Sequence, residues 1–167
     1  MRIYIVVLFL LTTVAVLNGQ TAEEYFNNGK IKARLDKFSE AIDDLNKAIE
    51  LDPNNADIYL YRGDLKCIMK DYRGAISDYN KIVMLNPDFA YVYYRRGVTK
   101  SYLEDYRGAI VDFNKSIELN PDDKNPYYQR GLMKIILGNT DEGCLDFSKA
   151  GELGHNEAYG AIKEMCN

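Results

Sequence analysis

The sequence predicts an all-α fold, a solenoid of antiparallel helix pairs. Three observations predict it. Residue types recur every 34 positions: Gly29, Gly63, Gly97 and Gly131; Tyr25, Tyr59, Tyr93 and Tyr127; Pro53, Pro87 and Pro121. The hexapeptide DYRGAI is written twice in register, at 71–76 and 105–110. Inside a copy, Tyr59, Gly63, Lys66 and Met69 lie at helical spacing on one face, and Tyr72, Ala75, Ile76, Tyr79 and Ile82 make an apolar stripe on a second helix.

The elements follow in chain order. Residues 1–19 read as a secretory signal peptide: Arg2 is the only charge before Glu23, and an apolar run of about 15 residues follows it, short for a membrane-spanning helix. Cleavage is expected after Gly19. An uncleaved anchor is the alternative. Thr21 and Glu24 form a capping box that opens the array. The four copies are residues 22–55, 56–89, 90–123 and 124–157, each a helix, a short break and a second helix. Leu-Asp-Pro at 51–53 and Leu-Asn-Pro at 85–87 and 119–121 end the second helix, because proline cannot continue it. Copy four has Leu153-Gly154-His155 there instead, which stops the array with Gly154 as a helix cap. A last helix over about 156–166 is expected to cover the open end of the stack. DYRGAI is then the start of a second helix, with its Tyr and Ala packing the helix pair.

These columns resemble the tetratricopeptide repeat over residues 22–157. Copy one departs with Asn28 where later copies have Arg62, Arg96 and Arg130, and copy two has Ile82 where a small residue is usual. The resemblance implies a right-handed superhelix whose concave wall is lined by the first helix of each copy and holds a peptide or partner helix. By helical phase, that wall carries Phe26, Lys30 and Arg34; Leu60 and Asp64, with Cys67 and Ile68; Tyr91, Tyr94, Val98 and Tyr102; and Tyr128 and Leu132, with Ile135 and Ile136; Arg95 joins them as a groove position matched to the family. So much apolar surface on an open wall implies a cover. That cover is either a bound partner or the neighbouring helices and the cap, with Ile135 and Ile136 foremost in the second case. Arg95 and Arg34 are candidates to orient an acidic group. Some members of the family grip the terminal carboxylate of heat-shock chaperones with Lys, Asn and Arg. The matching positions here are Phe26, Lys30, Tyr61, Tyr91 and Arg95, of which only Arg95 fits, so that ligand is rejected.

A second series is polar. Lys32, Lys66, Lys100 and Lys134 recur at 34, as do Asp44, Asp78, Asp112 and Asp146, with Arg62, Arg96 and Arg130 four residues before their Lys. Each cation has an acid in its own copy, so the series reads as structural ion pairs, with an anion-binding stripe as the alternative. Of the three cysteines, Cys144 and Cys166 are expected to form a disulfide between the last repeat and the cap, and Cys67 is left as a buried thiol.

Composition narrows the function. Loss of Arg2 with the leader leaves 20 basic against 25 acidic side chains, about −5. That balance argues against nucleic acid and against an anionic membrane surface. With one histidine, His155, no nucleophile set and no glycine-rich phosphate cradle, no catalytic residue, metal or cofactor is expected. The expected function is a protein–protein interaction scaffold, exported to the periplasm or secreted, with no stable membrane insertion after cleavage. A self-associating component of an envelope assembly, a homo-oligomer, is the alternative.

Overall fold

The computed structural model describes residues 20–166. The leader expectation lies outside them. Among the described residues there are nine helices and no strand: α1 (Ala22–Arg34), α2 (Phe38–Leu51), α3 (Ala56–Ile68), α4 (Tyr72–Leu85), α5 (Ala90–Tyr102), α6 (Tyr106–Leu119), α7 (Lys124–Ile136), α8 (Thr140–Glu152) and α9 (Ala158–Met165). They divide into two compact units, one ending at Asn55 and one running from Ala56.

The first unit is the pair α1–α2. Thr21 Oγ1 accepts from the Glu24 amide at 3.1 Å, and Glu24 Oε2 accepts from the Thr21 amide at 2.9 Å, so two amides without helical partners are satisfied at once. The pair closes on Ala41, Leu45 and Ala48, all fully buried.

In the second unit each helix packs on the next from α3 to α9. Asp71 and Asp105 cap α4 and α6 through the amides of Gly74 and Gly108, at 3.0 and 2.9 Å. The helices before the prolines end at Leu85 and Leu119, with Asn86 and Asn120 as caps. The core runs through Ile58, Tyr79, Ile82, Val92, Phe113 and Phe147, none more than 1% exposed. Tight helix crossings need small residues. A Cβ on Gly131 would lie 2.9 Å from the Gly143 carbonyl oxygen and 2.9 Å from the Phe147 ring. The break between the helices of a pair also repeats: Asp36, Lys70 and Glu104 take φ of 57°, 63° and 59°, and Gly138 takes 86° at the same position of the last pair.

Three local expectations differ from the structure. Met69 falls just beyond α3 and is exposed rather than on the packed face. The two tyrosines of the duplicated hexapeptide part ways: Tyr106 packs against the Ala109, Phe113 and Met133 cluster, whereas Tyr72 stacks on Tyr102 with ring centroids 5.1 Å apart. Ile136, expected under the cap, is 54% exposed, because α9 packs on α8 and Ile136 is the last residue of α7.

Candidate functional site

The ion pairs come first, because they hold α3, α5 and α7 in place. Asp78 accepts from Arg62 in a bidentate contact at 2.5 and 3.0 Å and from Lys66 at 2.8 Å. Asp112 does the same with Arg96 at 2.6 and 2.9 Å and lies 2.8 Å from Lys100. Asp146 repeats it with Arg130 at 2.6 and 2.9 Å and Lys134 at 2.9 Å. These aspartates are buried, and each is neutralised within its own helix pair. Hydrogen bonding to Asp112 raises the Arg96 guanidinium above its ordinary range, over the opposing effect of burial. The arginines also reach backwards: Arg96 donates to Asn80 at 2.7 Å and Arg130 to Asn114 at 2.6 Å, which ties one pair to the pair before it. In the first unit Asn28 replaces the arginine, and Lys32 meets Asp44 at 2.7 Å.

With those helices fixed, α3, α4 and α5 enclose a groove of about 670 Å³ in the second unit. Asp64, Tyr91, Tyr94, Arg95, Val98 and Tyr102, all expected on the wall, line it. Cys67 and Ile68, from the same helical stripe, line it too, and so do Lys70, Tyr72 and Thr99. Tyr72 and Thr99 were missed because neither lies on the stripe that helical phase selects. Thr99 is buried and donates to the Arg95 carbonyl at 2.8 Å. Cys67, expected buried, is half-buried, with Sγ 3.2 Å from Thr99 Oγ1 and 3.5 Å from the Tyr79 hydroxyl.

The groove has aromatic walls and a polar floor. Tyr91 and Tyr94 are 6.1 Å apart in one wall, and Tyr72 and Tyr102 stack in the other. Tyr102 is 61% exposed and Tyr91 40%. On the floor, Asp64 meets Arg95 at 3.0 and 3.2 Å, and its Oδ1 accepts from the Tyr79 hydroxyl at 2.7 Å. Arg95 also donates to the Tyr91 hydroxyl at 3.0 Å. Arg95, a candidate to orient a ligand's acid, already holds the carboxylate of Asp64 with its guanidinium. Burial raises Asp64 above the usual aspartate value, against the Tyr79 hydrogen bond and the Arg95 charge, which lower it. Burial likewise raises the Tyr79 and Tyr94 hydroxyls.

The remaining wall residues lie elsewhere. Leu132 packs against the Phe113 cluster and is half-buried, as is Leu60. Tyr128 stacks on His155 at 4.1 Å, packs against Tyr127, Ala150 and Ala158, and borders a smaller hollow lined by Glu157, Gly160, Ala161, Glu164 and Met165. In the first unit Lys30 sits over the Phe26 ring at 4.3 Å, and Arg34 is exposed in the last turn of α1. Cys144 and Cys166 form a disulfide between α8 and the end of α9, with Cα atoms 5.9 Å apart. Among the described residues no His, Cys, Asp or Glu group is arranged to hold a metal ion, and no helix is long and apolar enough to cross a membrane.

Comparison with known proteins agrees with this geometry. A family model described as "TPR repeat" matches residues 29–66, and one described as "Tetratricopeptide repeat" matches residues 90–123. No curated protein matches the sequence. Among solved structures, the chain is similar to MamA at 25% identity, with a TM-score of 0.78 over 89% of this chain and 86% of that one. MamA from Desulfovibrio magneticus RS-1, residues 41 to the end, shares the fold at 23% identity, with a TM-score of 0.74 over 79% and 75%. The first TPR of Spaghetti (RPAP3), bound to the HSP90 peptide SRMEEVD, is 26% identical, with a TM-score of 0.67 over 72% of this chain and 96% of that one. The matched repeats, the nine helices among the described residues and these neighbours show an all-α solenoid of the tetratricopeptide-repeat fold.

Proposed function

We propose that the chain is a protein–protein interaction scaffold that binds a peptide or partner helix in the tyrosine-lined groove of α3, α4 and α5. The carrying observation is the groove itself: about 670 Å³, open to solvent, with Tyr72, Tyr91, Tyr94 and Tyr102 around it. Tyrosine supplies rigid contact area and a hydroxyl at a low entropic cost, which suits recognition of another chain. The repeat family and the peptide-bound RPAP3 neighbour support the same reading. The scaffold reading requires no enzyme activity.

The place of action is outside the cytoplasm, periplasmic or secreted. The apolar start of the chain supports this, and so does the Cys144–Cys166 disulfide, a bond that persists in oxidising compartments. Membrane anchoring through an uncleaved start is the alternative.

A crosslinking pull-down from the native cell fraction tests the groove. The protein is compared with a Tyr94→Ala, Tyr102→Ala variant after circular dichroism shows both to be folded. A partner held by the first and lost by the second supports the groove. Equal capture by both moves binding to another surface.

A second reading has its own observation. Ile68, Tyr102 and Ile136 end α3, α5 and α7 with 60%, 61% and 54% exposure, and each is followed by an exposed Met69, Leu103 or Leu137. This repeating apolar edge favours self-association in an envelope assembly. A sedimentation series that stays monomeric from micromolar to near-millimolar concentration would exclude it.

A further inference from the structure

If the groove binds, its charge balance decides what it selects. Arg95 stands over the floor with its guanidinium in a two-pronged contact to Asp64, and it also donates to the Tyr91 hydroxyl. Asp64 is itself anchored from below by the hydroxyl of Tyr79, a fully buried side chain on α4. One group from each of α3, α4 and α5 thus closes the network. Lys70 is the other cation on the lining, exposed at the rim. In the column that runs through Lys30, Asp64, Val98 and Leu132, only this copy carries a carboxylate.

A ligand carboxylate could take over the two-pronged contact on Arg95 only by displacing Asp64. That would leave Asp64 half-buried with its hydrogen bond from Tyr79 alone, next to a second negative charge. Like charges sharing one site oppose each other, and a half-buried acid that loses its cation is costly. The faces of Tyr72, Tyr91, Tyr94 and Tyr102 stay available to an uncharged ring or aliphatic chain.

We infer that Asp64 is the specificity-determining residue of the groove: by occupying Arg95, it makes the groove select uncharged aromatic or apolar segments and reject those that bring a carboxylate to the floor. This rests on the groove reading above, and the test separates the two. The probes are 3-phenylpropionate and 3-phenylpropionamide, which share a ring and differ in charge, titrated against the protein while the tyrosine ring resonances are followed by NMR. The wild type is expected to bind the amide at least as tightly as the acid. Asp64→Asn keeps an oxygen for the Tyr79 hydroxyl but releases Arg95, and is expected to bind the acid about tenfold more tightly than the wild type does. Its affinity for the amide should change by less than about twofold. Adding Arg95→Gln should return the acid to its wild-type affinity. If the amide binds and is lost in the Tyr94→Ala, Tyr102→Ala variant, but Asp64→Asn does not gain the acid, the role of Asp64 is overturned and the groove stands. If neither probe moves the ring resonances of any variant, both fall.

Discussion

At the scale of single residues, two aspartates of this chain meet their cations in different settings. Asp78 is buried, yet Arg62 and Lys66 both reach it within 2.8 Å, so its charge is neutralised inside the α3–α4 pair. Removing the charge leaves two cations that are themselves mostly shielded, so Asp78→Asn should cost about 3 kcal/mol. Asp44→Asn should cost less, because Asp44 faces Lys32, a more exposed cation that water can solvate once the pair is broken. Urea denaturation followed by circular dichroism compares the two, and equal losses would contradict this account. At Asp64, burial outweighs a tyrosine hydroxyl and an arginine, so its folded pKa lies above the ordinary 3.8. The folded state therefore holds that proton more tightly than the unfolded chain. The contribution of this group to stability is fullest below its unfolded pKa and declines as the pH rises through the folded value. On acidification the carboxylate is neutralised before an ordinary aspartate would be, and Arg95 is released. A side-chain carboxyl NMR titration checks this: a midpoint below 3.8 would mean that the Arg95 pair dominates.

At the scale of elements, the helix pairs were legible in the sequence because their signals are local. The capping box at Thr21, the Asp71 and Asp105 caps and the prolines after Leu85 and Leu119 each act within a few residues of the boundary they set. The groove was legible only in part. Helical phase brought Tyr91, Tyr94, Val98 and Tyr102 onto one face, since all lie on α5. It did not find Tyr72, which stacks on Tyr102 from the start of another helix, nor the pairing of Asp64 with Arg95 across 31 residues, because side-chain reach between helices leaves no periodic trace. Two predictions belong here. The helix α9 has eight residues and fully covers only Ala158 and Ala161, small side chains that release little energy on burial. Its docking therefore leans on Cys144–Cys166, which closes a loop of 22 residues and stabilises by about 3 kcal/mol. Cys144→Ser with Cys166→Ser should lose amide protection over 158–165 while α5 and α6 keep theirs. Unchanged protection in α9 would show that packing alone suffices. Glu104 holds a left-handed φ of 59° where the last pair uses Gly138. Glu104→Gly should therefore be neutral or stabilising by up to about 1 kcal/mol in thermal unfolding, whereas most glycine substitutions destabilise.

At the scale of the whole molecule, stability in a solenoid is a sum over neighbours, so it is not shared evenly. Within the second unit, α5 and α6 have packed helices on both sides, whereas α9 has its main packing partner, α8, on one side only. Val92, Thr99, Phe113 and Ser116 on α5 and α6 are all essentially solvent-free. Hydrogen exchange should therefore be slowest in α5 and α6 and fastest in α9, with α7 and α8 between them. The groove is built on α5, and Tyr91, Tyr94, Arg95 and Tyr102 all project from that one helix. A binding face carried on the most protected helix is ordered before its partner arrives, so little ordering entropy is lost on association. The expected signature is an exchange profile of α5 that hardly changes when a partner binds, with new protection confined to the ends of α3 and α4 that border the groove. Protection that instead spread through all of α5 on binding would mean that the helix folds with its ligand, and the groove could not then be a preformed site.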